Sequence, residues 1–145
     1  SIAGWGMSWA RGQLRDEELD VEFIMWDIQR RLPIDELPDG ETIFCFIFND
    51  IERYNNWWLI VRADSVDLCT DNPGMDVDLY IRSSLRTMVE VWEGDLALQA
   101  ALDDERIDTQ GNKQLSKTML SWFGINPYAD VRPGDPALTR VAADD

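Results

Sequence analysis

Hydrophobic and polar positions change period several times along the chain, and each change marks an element. From Asp20 to Leu32, the apolar residues Val21, Ile24, Met25, Ile28 and Leu32 recur at helical spacing, which predicts an amphipathic helix. Asp16 or Asp20 is placed to cap its start, Arg30 and Arg31 complement its C-terminal dipole, and Pro33 ends it. Phe23 and Trp26 fall outside the stripe, so this helix is expected to touch more than one layer. After the Pro38-Asp39-Gly40 turn comes TIFCFIF, residues 42–48. Successive side chains of a strand point to opposite faces. Ile43, Cys45 and Ile47 would share one face and Phe44, Phe46 and Phe48 the other, and both sets are apolar. Such a strand needs cover on both sides. Trp57–Val61, Val66–Thr70 and Val77–Ile81 read as three further strands, set off by the polar stretch NDIERYNN, a turn at residues 64–65 and the turn chemistry of DNPG at Asp71–Gly74. Four strands joined by short loops predict an antiparallel meander.

The helical period then returns. Leu85, Met88, Val89 and Trp92 line a helix capped by Ser83 or Ser84 and stopped by Gly94. Asp95 heads a short helix reaching Leu102. Residues from Arg106 to Gln110 form a fifth strand, and Asn112 caps a last helix carrying Leu115, Met119 and Trp122, with Leu120 and Phe123 beside them. The order predicts an α+β fold: an antiparallel five-stranded sheet with helices packed on one face. Residues 1–15 carry Trp5 and Trp9, weakened as a helix by Gly4, Gly6 and Gly12, and read as a connector or as the end of a preceding element. Residues 16–126 form the folded domain, and 127–145, rich in Pro, Asp and Ala, an extended tail.

Composition narrows the function classes. A chain of 145 residues, 45% hydrophobic, can bury one substantial core. Its apolar runs are strand-sized, so no membrane span is expected, and the lack of a signal-like start points to the cytoplasm. A first residue of Ser1 rather than Met fits a processed or excised chain. The net charge of −15 repels phosphate backbones and anionic lipid, which argues against direct nucleic-acid binding. With no histidine, Ser-His-Asp and Cys-His catalysis and Cys/His zinc sites are excluded. Glycine-rich phosphate loops are absent too. Cys45 and Cys69 read as reduced thiols, with a cross-strand disulfide as the alternative. Asp76 and Asp78 share one side of a strand near Asp71, but the spacing fails for a calcium loop. A solvated turn is the plainer reading. No cofactor, metal or catalytic residue is expected, and the chain reads as a protein that is not an enzyme.

The aromatic residues carry more information. Seven tryptophans are many for this length. Trp26, Trp92 and Trp122 lie on or near helix stripes and pack a core in the simplest reading. With Met25, Met88 and Met119 they also suit an adaptable pocket wall or an interface.

The stretch VDLYIRSSLRTMVEVWEGDLALQAALDDERIDTQGNKQLSKTM resembles the sterol carrier protein type-two-like domain. Asp78, Leu85, Met88, Gly94, Ala101, Ile107, Gly111, Asn112 and Leu115 carry the match. Glu105 departs from it, standing where that family often has glycine before the last strand. WGMSWARGQLRDEELDVEFIMWDIQRRL, VDLCTDNPGMDVDLY and MVEVWEGD further resemble the C-terminal half of bacterial HxlR-type winged-helix transcriptional regulators. The resemblance implies an effector domain that binds a small apolar or lipid-like molecule between sheet and helices. Its pocket candidates are Ile24, Ile28, Phe46, Met88, Trp92, Leu102, Met119, Trp122 and Phe123. DNA would be met only by a preceding domain, and a homodimer is one further expectation, with Trp5, Trp9, Phe44, Trp57 and Trp58 as interface candidates. The alternative is a structural or dimerisation module that keeps the carrier fold without a ligand.

Overall fold

The computed structural model describes residues 9–124, with side chains from Asp20 onward. Helix α1 runs Trp9–Arg31, so it begins well before the expected Asp20. Ala10, Gln13, Leu14, Glu17, Glu18 and Leu19 all favour helix, and together they outweigh the roughly 1 kcal/mol cost of Gly12. The helix therefore runs through the boundary expected between connector and domain. A short 3-10 turn, Ile34–Glu36, follows Pro33. Then come β1 (Thr42–Phe48), β2 (Asn56–Val61), β3 (Val66–Cys69) and β4 (Leu79–Ser83). Helices α2 (Leu85–Trp92) and α3 (Leu98–Asp103) precede β5 (Ile107–Gly111). The expected last helix is two short ones, α4 (Lys113–Lys117) and α5 (Met119–Trp122), broken at Thr118. The C-terminal tail expectation falls outside the described residues.

The sheet order is β3-β2-β1-β4-β5. It is an α+β arrangement, mostly antiparallel, with one parallel pair, β1 with β4. That pair corrects the meander. The DNPG stretch is not a hairpin turn: the chain from β3 crosses to the far side of β1. Two aspartates fix the parallel pair at its two ends. The Asp78 carboxylate accepts the Ile43 amide at 2.8 Å, while the Asp78 amide donates to the Ile43 carbonyl at 2.7 Å. Beyond the other end of β1, Asp50 accepts the Leu85 amide at 2.9 Å, satisfying an otherwise orphaned donor at the start of α2. Ser84 accepts the Thr87 amide as the true N-cap of α2, and Asn112 does the same for Leu115 in α4. Gly111 lies against β4 so closely that an added Cβ would meet the Asp78 carbonyl at 2.5 Å.

The core occupies one face of the sheet. Phe44, Phe46 and Phe48, with Trp57, Leu59, Leu79 and Ile81, pack in one cluster with Val21, Met25 and Ile28 of α1, Met88 of α2 and the Met119–Phe123 segment. The helices therefore cover the phenylalanine side of β1. Ile43, Cys45 and Ile60 point to the other face and are buried outside that cluster. Trp58 flanks Cys45 and also faces Cys69, so the two free cysteines stand two strands apart with an indole between them.

Candidate functional site

The region between sheet and helices, where a ligand was expected, is packed with rings. Trp122 lies 4.9 Å from Phe44, Phe123 6.1 Å from Phe46, and Trp92 5.2 Å from Phe123, centroid to centroid. Trp122 donates its indole N–H to the Leu115 carbonyl at 3.0 Å, so even its polar atom is satisfied inside. Ile28, Phe46, Met88, Met119, Trp122 and Phe123 all belong to this cluster, and Leu102 packs against its edge.

Described residues do line a groove of about 700 Å³ between α1 and α2. Ile24 and Trp92 are the pocket candidates that reach it; Phe23, Trp26 and Val89 complete its apolar surface. Phe23 and Trp26 are 60% and 50% exposed, so they do not bridge to a second protein layer. They stand edge to face, 6.1 Å apart at 81°, and form a preset aromatic corner. Asp20, Asp27, Arg30 and Glu93 supply the polar lining. The Trp92 indole N–H donates to the Asp27 carboxylate at 2.6 Å, and the other oxygen of Asp27 pairs with Arg30 at 3.0 Å. This contact ties α2 to α1 across the groove floor. A second opening of about 430 Å³ lies beside it, lined by Trp26, Gln29, Arg30, Ile34 and residues 64–66. Gln29 donates to the Val66 carbonyl at 2.8 Å there and anchors α1 on the sheet edge. Trp26 thus stands between two openings. The signal for this site in the sequence was the position of Phe23 and Trp26 off the apolar stripe.

Among the interface candidates, Phe44 and Trp57 are buried on the helix side, and Trp58 is half-buried on the opposite face. Trp5 lies outside the described residues, and Trp9 falls in α1 before the described side chains. The Asp76–Asp78 pair does not form a site: Asp78 is committed to the β1 backbone, and no group of three or more metal-ligating side chains is found among the described residues. Glu105 adopts the left-handed conformation, with φ of 59°, so the turn before β5 keeps a glycine-like backbone despite the substitution. Among the described residues no helix is long and apolar enough to cross a membrane.

No family model matches the chain, and no curated protein matches it by sequence. Solved structures do share its fold. A double mutant of the sec-alkyl sulfatase PisA1 aligns at a TM-score of 0.55 and 13% identity, over 70% of this chain but only 16% of that chain. Sterol carrier protein 2 like 2 from Aedes aegypti aligns at 0.52 and 18% identity, over 72% of this chain and 96% of that one. The solution structure of its palmitated form gives 0.52 and 18%, over 70% and 91%. The fold is thus sterol-carrier-like. The sulfatase corrects the expectation that the chain is not an enzyme: the same fold occurs as a small part of an enzyme, so the fold class does not set catalysis aside.

Proposed function

We propose that this chain is a module that binds a small apolar or lipid-like molecule in the groove between α1 and α2. The observation that carries the reading is the exposed Phe23–Trp26 corner facing Trp92 and Val89 across about 700 Å³. Large apolar side chains left exposed side by side, over a concave surface of that size, are the usual composition of a ligand site. The carrier-like fold supports the same reading, since a neighbour of that fold is described as palmitated. The finer reading is an effector domain, residues 16–126, that follows a DNA-binding unit in a bacterial regulator of the cytoplasm, with residues 1–15 as connector and 127–145 as tail. Its support is the resemblance of the N-terminal and central stretches, together with the charge of −15 that puts DNA contacts elsewhere. Dimerisation through the Trp58 face is the companion proposal, checked by light scattering over a concentration series.

A titration of the full chain with neutral long-chain alcohols and monoacylglycerols tests the binding reading. Saturable, one-to-one shifts of the Trp26 and Trp92 indole N–H resonances are expected, lost in Val89→Glu and weakened in Trp26→Ala. Trp26 is half exposed, so its truncation leaves the fold intact and separates binding from folding. Shifts that never saturate, or that spare both indoles, would count against the groove.

A further inference from the structure

The rim and the floor of the groove select different parts of one molecule. Resting on the binding reading above, we infer that the occupant is an amphiphilic cation: an apolar body bearing an ammonium-type head. The rim offers two exposed aromatic rings, Phe23 and Trp26, whose faces attract cations, and the buried Trp92 closes the floor beneath them. The charged lining is Asp20, Asp27 and Glu93 against Arg30, among the described residues. Arg30 is held by Asp27 at 3.0 Å, and Asp27 also receives the Trp92 indole. An anionic head entering here would have to compete with Asp27 for Arg30 while facing Glu93, which is exposed at the C-terminal end of α2. That helix end itself carries partial negative charge. A positive head meets the reverse: a carboxylate, a helix C-terminus and aromatic faces within one groove. The surrounding field has the same sign, since the chain carries −15 overall. The apolar body then lies along Ile24, Val89 and the floor at Trp92.

The test compares an alkyltrimethylammonium, an alkanoate and a neutral alcohol of equal chain length, each below its micelle concentration, on the full chain. Binding is read at the Trp26 and Trp92 indole N–H resonances. At low salt the ammonium should bind about tenfold more tightly than the alkanoate, the combined worth of one cation–π contact and one partly screened carboxylate. The ratio should shrink as salt is added, and Glu93→Gln and Trp26→Leu should each reduce it, the latter read at Trp92. Equal or tighter alkanoate binding would overturn the inference, as would an ammonium that perturbs resonances elsewhere and leaves the groove indoles in place. A neutral alcohol that saturates the groove with no ammonium preference would leave the binding module standing and remove only the cation. If no amphiphile moves the indoles, both fall.

Discussion

The Asp78→Ala substitution isolates the device that makes β1 and β4 parallel neighbours. Only one of the three hydrogen bonds at this residue is lost, because the Asp78 amide and carbonyl stay paired with Ile43 and Asn112. The bond removed is charge-assisted, from the Ile43 amide at 2.8 Å, and Ile43 is only 5% exposed. A hydrogen bond to a charged group contributes about 1.5–3 kcal/mol, and an orphaned buried donor costs a comparable amount. Asp78 itself is half-buried, so water recovers part of the loss, and about 2 kcal/mol is the expected destabilisation. Asn keeps an acceptor without the charge and should cost about half as much. Against a typical stability of about 5–15 kcal/mol, either effect is measurable in urea by tryptophan fluorescence. The Ala variant should shift the midpoint by roughly 1 M at an m-value of about 1–3 kcal/mol per molar. Hydrogen exchange adds a local readout: the Ile43 amide should lose more protection than amides of the β1–β2 pairing. An Ala variant within about 0.5 kcal/mol of the parent, or an Ile43 amide that stays protected, would refute the clamp.

Four further outcomes follow from the structure. Burial pushes the Cys45 thiol up to about 11 from 9.0, so near pH 8 it should hold roughly a hundredfold less thiolate than an ordinary thiol, and alkylation mapped by mass spectrometry should label half-buried Cys69 first. Above pH 9 the unfolded chain sheds the Cys45 proton before the folded chain does, so stability should fall as pH rises from about 9 to 11, and Cys45→Val should flatten that decline relative to the parent in parallel denaturation curves. Glu105 holds a left-handed backbone at φ of 59°, so Glu105→Gly should raise stability by about 0.5–1 kcal/mol in thermal unfolding. Trp122 is fully buried against Phe44, and Trp122→Ala should cost about 3–5 kcal/mol, seen as lost near-ultraviolet circular dichroism and a lowered Tm.

Element type was legible because it rests on local patterns. Ser84 and Asn112 sit where a cap must sit, and the structure bonds both as caps. The Phe face of β1 pairs in register with Leu59 and Leu79, as alternation requires. Strand order was not legible from loop lengths, because DNPG has the chemistry of a tight turn whether or not the strands it joins are neighbours. One residue-level signal did bear on it. A meander would have left β1 at an edge, where an exposed apolar strand invites aggregation. Ile43, Cys45 and Ile47 opposite Phe44, Phe46 and Phe48 call for cover on both faces of the sheet, which a central strand such as β1 is better placed to receive than an edge strand. The site was legible only by its exceptions. Helix-stripe residues such as Met88 and Trp122 fill the core because the stripe is what faces it, whereas Phe23 and Trp26, off the stripe, are the rings left exposed beside the groove.

The filled interior also limits how the groove can act at a distance. Phe44, Phe46, Trp122 and Phe123 pack ring to ring beneath it, so a ligand entering among these four described residues would have to displace packed rings, which costs several kcal/mol. Binding energy gained in the groove is instead available to α1 and α2, the two elements that form its walls. Core packing holds them together, Trp92 to Asp27 is a side-chain hydrogen bond that joins them at the groove, and α1 is anchored separately through Gln29 to β3. A ligand shifts an equilibrium only by its differential affinity for two arrangements. An arrangement that a groove ligand could favour in this way is one that differs in the α1–α2 spacing. Since α1 continues N-terminally to Trp9 without a break, a change in that spacing would move the whole helix. Asp27→Ala cuts the Trp92 tie but leaves the Gln29 anchor and the apolar lining in place. It should therefore weaken the response of α1 to a bound ligand more than the binding itself. Paired spin labels on α1 and β3, compared with and without ligand in parent and variant, would measure that difference. A label distance unchanged by saturating ligand in the parent would show that the groove binds without moving the helix.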